Sequence, residues 1–192
     1  MTAKTILCNG IPKSGTHAFL KAVELLGCAG MLVHHEYQVG GLLPEDMRAT
    51  THHLFIKRDP RNVLISWLRF FSKPVTSGMF ITAFRNWSGT ANDGLATRTF
   101  LDASLEFTPW LSDPSVFVVK FEDLTASDAE LRRIAAYLAV PYLEDAFRHL
   151  PGMTRTWTGK LSDYTAIWNA DIESVWSAEG GPQLLKAWGY AD

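Results

Sequence analysis

Near the start of the chain an apolar run, "TILCNG" (Thr5–Gly10), breaks at a glycine, crosses the short turn "IPKSG", and resumes as "THAFLKAVELLG". In this last stretch Phe19, Leu20, Val23 and Leu26 recur at helical spacing before Gly27 stops them. The period changes from strand to helix within a few residues, so the segment predicts a strand, a tight loop and a helix. A buried strand that feeds straight into a helix is half of a βαβ unit.

The same alternation continues along the chain. "GMLVHHEY" predicts a second strand, and "HHLFIKRDPRNVLISWLRFF" a strand running into a helix with Asp59 as N-cap and Pro60 at the first helical position. "SVFVVKFEDL" predicts a further strand. "SDAELRRIAAYLAV" predicts a helix opened by a capping box of Ser127 and Glu130 and ended before Pro141. Strands alternating with helices imply an α/β fold with a parallel sheet covered on both faces.

A chain of 192 residues, 47% of them hydrophobic, predicts a single domain over residues 1–192. Within it, an aromatic-rich insertion at about 71–111 loosens the pattern with Gly, Pro and Asn. That insertion either lines an acceptor pocket or packs as ordinary helical core with a surface loop.

The net charge of −2 gives no general attraction to nucleic acid or an anionic membrane, so an anion site must be local. Two cysteines, Cys8 and Cys28, are too few for a disulfide scaffold or a zinc site and predict buried thiols. The N-terminal stretch has no apolar run of signal-peptide length, and no segment reaches the roughly 18 apolar residues of a membrane span. The expectation is a soluble, cytoplasmic protein.

Gly10 and Gly15 have the spacing of a nucleotide-binding P-loop, placed between a strand and a helix where backbone N–H groups and the helix N-terminus attract an anion. In an ATP-type loop, however, a lysine and a Ser or Thr follow the second glycine, to reach the phosphates and magnesium. Here Thr16 and His17 occupy those positions, and the lysine, Lys13, stands in the middle of the loop. The fold class expected is therefore a three-layer, P-loop-type α/β fold whose loop does not do ATP chemistry.

A second constellation is Arg58, at the carboxyl end of a predicted strand, and Ser66, two helical turns on and on a face shared with Asn62. An arginine can grip a phosphate bidentately. Arginine and hydroxyl beside a phosphate loop predict a second phosphate site; the alternative is an ion pair of Arg58 with Asp59 or Glu122.

"IPKSGTHAF", "IKRDPRNVLISW", "VFVVKFEDL" and the tail "GKLSDY…LLKAWGY", in this order along nearly the whole chain, resemble the motifs of the sulfotransferases that use 3'-phosphoadenosine 5'-phosphosulfate (PAPS). The resemblance implies that Pro12, Lys13, Ser14, Gly15 and Thr16, with His17 beside them, wrap the 5'-phosphosulfate. It implies that Arg58 and Ser66 hold the 3'-phosphate. The family's C-terminal Arg-Lys-Gly loop is altered to "TRTWTGKLSDY", which keeps Gly159 and offers Lys160 or Arg155 as the further cation. Ala18 stands where many relatives carry a tryptophan that stacks on adenine, leaving Phe19 or His17 as aromatic alternatives.

The implied reaction moves a sulfuryl group from PAPS to a hydroxyl or amine, leaving 3',5'-bisphosphoadenosine. Such in-line transfer depends on positioning and electrostatics. A sulfuryl group carries less charge than a γ-phosphoryl group, so no metal is required and Lys13 can meet the charge on the leaving phosphate. The general base expected is His35, with His34 next and Glu36 third, since adjacent strand residues point to opposite faces. His52 and His53 are expected to be structural. The acceptor class is a small molecule or glycan, with no nucleic acid as partner. A P-loop kinase or nucleotide hydrolase, or a non-catalytic nucleotide-binding protein, is the alternative.

Overall fold

The computed structural model describes residues 5–28, 32–34, 50–71, 74–87, 98–144, 146–149 and 163–190. Four strands, β1 (Thr5–Gly10), β2 (Leu32–His34), β3 (Thr51–Lys57) and β4 (Val116–Lys120), form a sheet in the order β2-β1-β3-β4. All the pairings are parallel. The described helices are α1 (Thr16–Val23), α2 (Pro60–Phe71), α3 (Ser77–Arg85), α4 (Phe100–Leu105), α5 (Thr108–Ser112), α6 (Phe121–Ala126), α7 (Ala129–Leu138), α8 (Ala146–His149), α9 (Ala170–Ala178) and α10 (Gly181–Trp188). The predicted α/β class, a parallel sheet flanked by helices, is what the chain adopts.

The chain divides into two compact units, Met1–Arg58 with Pro109–Leu161, and Asp59–Thr108 with Ser162–Asp192. The first carries the sheet. A parallel sheet must be covered on both faces, and strand alternation divides its side chains accordingly. Ile6 and Cys8 of β1, Leu54 and Ile56 of β3 and Val119 of β4 join Phe19 and Val23 of α1, Phe121 and Leu124 of α6, and Leu131, Ile134 and Leu138 of α7 in one buried cluster. On the other face Phe55 stacks on Trp110 of α5 at 6.3 Å and 15°, and His53 lies 6.2 Å from the same indole. His52 meets Tyr137 edge-on at 5.3 Å, so both histidines of β3 pack against aromatic rings.

Helix α1 runs into one π-helical turn, Glu24–Cys28, and Gly27 adopts φ 82°, the left-handed stop its position predicts. Cys8 and Cys28 are free, buried thiols. Burial, with the neighbouring Cys28 adding, pushes the Cys8 thiol up to about 12.

Two local expectations differ from the structure. β4 ends at Lys120 and α6 begins at once with Phe121, whereas the apolar pattern carries a strand through Leu124. Glu122 and Asp123 fall in the first turn of α6, where the helix dipole favours acids, while Phe121 and Leu124, three apart, both reach the core. The Ser127–Glu130 capping box does not close. Ser127 Oγ accepts from the Ala129 N–H, and Glu130 is drawn instead to Arg133, which donates to it at 2.8 Å through Nε and to the Val118 carbonyl at 2.7 Å.

The second unit has an aromatic interior. Phe84 lies 5.0 Å from Trp176 and 6.4 Å from Phe100, and Trp87 lies 4.6 Å from Trp67 and 4.8 Å from Phe100. Phe80, Phe84, Trp87, Phe100 and Phe107 are all buried. These residues of the insertion pack in the buried interior. Several of its helices are capped by side chains: Thr76 accepts from Met79 N, Thr99 from Asp102 N and Asn169 from Ile172 N. Asp59 Oδ1 accepts the Arg61 N–H at 2.9 Å, so Asp59 caps α2 ahead of Pro60 as predicted. No helix among the described residues is long and apolar enough to cross a membrane.

Because Trp110 is fully buried against Phe55 on one sheet face, Trp110→Ala should destabilise the protein by about 3–5 kcal/mol. Urea denaturation measures this; a loss below about 1 kcal/mol would show that α5 does not cover that face.

Candidate functional site

The chain leaves β1 for β2 on one side and then reaches β3 on the other, so the strand order reverses between β1 and β3. Open α/β sheets bind ligands in the crevice outside the carboxyl ends of strands at such a point. The loop 10–16 leaves β1 there, and Arg58 follows β3 there.

The loop is tightly built. Ser14 N–H donates to the Ile11 carbonyl at 3.1 Å, and Phe19 N–H to the Gly15 carbonyl at 3.0 Å as the first bond of α1. Lys13 has φ 72° and Gly15 φ 105°. For Lys13, left-handed backbone costs about 1–2 kcal/mol, which the surrounding contacts must offset. A Cβ on Gly10 would lie 2.8 Å from Ile56 Cγ2, the Ile56 carbonyl and Ser14 Oγ, so glycine lets the loop press against β3. A Cβ on Gly15 would meet the Phe121 ring at 2.3 Å.

Two features of this loop suit an anion. Gly15 caps α1 with no side-chain hydrogen bond and the first turn carries no acid, so neither α1's own cap nor its first turn competes with an incoming anion. Ser14 is fully buried, and its Oγ finds no hydrogen-bond partner among the described residues. A buried hydroxyl without a partner costs roughly 1–3 kcal/mol, which a ligand oxygen would recover.

Arg58 is 5% exposed. Its Nη1 donates to the Lys13 carbonyl at 3.3 Å, and its guanidinium lies 4.5 Å above the Phe121 ring. Phe121 therefore supports both Gly15 and Arg58, and nothing in its local sequence signals that role. Lys13 is half-buried, and burial lowers its ammonium from the ordinary 10.5. Lys57 and Lys120, opposite each other on β3 and β4, lie along the same edge. Burial first, then Lys120, lowers Lys57, with Glu122 and Asp123 acting in the opposite sense.

The structure thus brings together Lys13, Ser14, Gly15 and Arg58. Pro12 and Thr16 are buried in the same loop, and His17 is exposed on α1. Ala18 and Phe19 are buried, Phe19 completely and in the core, so of the two aromatic alternatives for adenine only His17 is exposed. Ser66 is half-buried on α2 in the second unit. Asn62, one turn before it, accepts the Tyr164 N–H at 2.9 Å. His34 ends β2, paired in register with Cys8. His35, Glu36, Arg155, Gly159 and Lys160 lie outside the described residues. Among the described residues no group of three His, Cys, Asp or Glu is placed to hold a metal ion.

No protein-family model matches the sequence, and neither does any curated protein. Solved structures do match in fold. Mouse sulfotransferase SULT7A1 complexed with PAP superposes with a TM-score of 0.70 at 13% identity, covering 97% of this chain and 86% of that one. The chain has the sulfotransferase fold. Retinol dehydratase in complex with androsterone and inactive cofactor PAP shares this sulfotransferase fold at a TM-score of 0.69, and in complex with retinol and PAP at 0.67. Both are 14% identical and cover 97% of this chain and 82% of their own. At such identity the likeness speaks for the fold.

Within this sulfotransferase fold, Gly15 is constrained twice over. Gly15→Ala combines left-handed backbone with a collision against Phe121, and should cost about 1–3 kcal/mol of stability. Thermal denaturation of the variant measures this; a wild-type Tm would show that the loop and ring separate freely.

Proposed function

We propose that the protein transfers the sulfuryl group of PAPS to a hydroxyl, or an amine, of a small-molecule acceptor. The observation that carries this reading is the buried Ser14 hydroxyl, without a partner among the described residues, in a left-handed loop beside Arg58. That loop lies at the strand-order reversal of a fold shared with PAP-bound sulfotransferases. PAP here is 3',5'-bisphosphoadenosine, the product that PAPS leaves behind.

In this reading Pro12 to His17 hold the 5'-phosphosulfate, chiefly through backbone N–H groups and the Ser14 hydroxyl. Arg58 and Ser66 hold the 3'-phosphate, with Gly159 and Lys160 contributing from the C-terminal loop. Lys13 meets the bridging oxygen. As the acceptor oxygen bonds to sulfur, the bond from sulfur to that bridging oxygen breaks, and the acceptor's proton passes to His35 or His34. Charge then builds on the departing 5'-phosphate, next to the Lys13 ammonium, and no metal is needed. Androsterone and retinol, present in the retinol dehydratase structures, are the first acceptors to try.

Ligand-induced stabilisation tests the donor. Without magnesium, 3',5'-bisphosphoadenosine at about 100 times its Kd should add about 2.7 kcal/mol of stability, and ATP with magnesium should add little. The reverse result would favour a kinase. In turnover with PAPS, Lys13→Ala should lower kcat about 10²- to 10³-fold; undiminished kcat would remove Lys13 from the reaction.

The lowered Lys13 pKa also fixes a sign. The ammonium attracts the nucleotide below its pKa and loses that attraction as pH rises through it, so affinity should fall with rising pH before the ordinary 10.5 is reached. Lys13→Arg, which stays charged, should abolish this alkaline loss in a calorimetric pH series. A loss retained in the arginine variant would assign it to another group.

A further inference from the structure

The first turn of α2 is held by an aromatic clasp that the reaction scheme above does not use. Asp59, besides capping the helix, accepts from Arg61 Nη2 at 2.7 Å and from Arg61 Nε at 3.0 Å. The Arg61 guanidinium carbon lies 4.0 Å above the Tyr164 ring and 5.9 Å from that of Trp168. Asn62, the next residue, accepts the backbone N–H of Tyr164 at 2.9 Å. Tyr164 is thus gripped twice, by its ring face and by its amide.

The clasp is braced from behind. Trp168 packs edge-on against Tyr164 at 5.0 Å, Phe80 at 5.5 Å and Trp176 at 5.7 Å. Its indole N–H donates to Glu173 at 2.7 Å, and Glu173 accepts from Ser177 at 2.7 Å. Phe80 and Trp176 belong to the buried aromatic interior of this unit. The arginine and tyrosine are therefore tied to a buried interior, whereas an exposed ion pair alone would contribute at most about 1 kcal/mol.

What the clasp fixes is the start of α2. Arg58 is the residue before Asp59, and Ser66 lies one helical turn beyond Asn62 on the same face. We propose that Tyr164, gripped by Arg61 and Asn62, is a positioning residue that sets the orientation of the Arg58–Ser66 segment toward the 3'-phosphate of the nucleotide. The inference rests on the sulfotransferase reading. It predicts a specific defect: loss of the clasp weakens recognition of the 3'-phosphate and spares recognition of the 5'-phosphate, which the loop after β1 handles.

The test compares 3',5'-bisphosphoadenosine with adenosine 5'-phosphate, which lacks the 3'-phosphate, by calorimetry on the full chain. Tyr164→Ala should weaken the bisphosphate about tenfold, and leave adenosine 5'-phosphate within about twofold. Tyr164→Phe should bind both like wild type, since the ring face and the amide make the contacts. Asn62→Ala, which removes one hydrogen bond and keeps the stack, should show the same selective loss in smaller measure and stands in if Tyr164→Ala does not fold. Equal weakening of both nucleotides, or wild-type affinity for both in Asn62→Ala and Tyr164→Ala, overturns the positioning role while wild-type binding of the bisphosphate upholds the sulfotransferase reading. A wild-type protein that binds neither nucleotide overturns both.

Discussion

The ring of Phe121 connects the core of the sheet unit to its charged edge. It belongs to the buried cluster on one sheet face, occupies the space a side chain at Gly15 would need, and lies beneath the Arg58 guanidinium. Because that space is filled, residue 15 must be glycine, and a glycine can take φ 105° at no steric cost. With Gly15 turned that way and Gly10 pressed on Ile56, the loop closes over Ser14 and buries its hydroxyl. The strain at Lys13 is then stored by packing on both sides of it. A less crowded loop would relax, and the hydroxyl would turn to water.

Much of the fold was legible because its signals are local. The break of period at Gly10, the Asp59–Pro60 start and the stop before Pro141 each depend on neighbours in sequence, and each appears in the structure where it was expected. The start of α6 was not legible. "VFVVKFEDL" suits a strand throughout, and only packing in the core turns it to helix after Lys120. The Ser127–Glu130 box failed for a similar reason: Arg133, a helical neighbour of Glu130 that also reaches the Val118 carbonyl on β4, competed for the carboxylate.

The candidate site divides along the same line. Lys13 and Arg58 could be singled out because each follows a strand whose carboxyl end is predictable. Phe121 could not, since its partners Gly15 and Arg58 are remote in sequence. Nor could Tyr164 be matched to Arg61 and Asn62, although the shared face of Asn62 and Ser66 was readable from spacing alone. The adenine alternatives show the limit most plainly: Phe19 and His17 are two positions apart on α1, and only the helix's rotation against the sheet puts Phe19 wholly in the core and His17 outside.

A chain of net charge −2 gathers Lys13, Lys57, Arg58 and Lys120 along one edge of its sheet. Lys57 and Lys120 face each other across β3 and β4, an arrangement that like charges oppose. Glu122 and Asp123 act against that repulsion, and they do so from the first turn of α6, where the helix N-terminus also favours them. One acidic pair thus serves a helix start and Lys57 at once. It follows β4, at the outer end of the strand order, whereas Lys13 and Arg58 flank the reversal between β1 and β3. The acids oppose the lowering of Lys57 from that outer end, so a local cluster of cations stands at the carboxyl ends of the strands without requiring a basic protein.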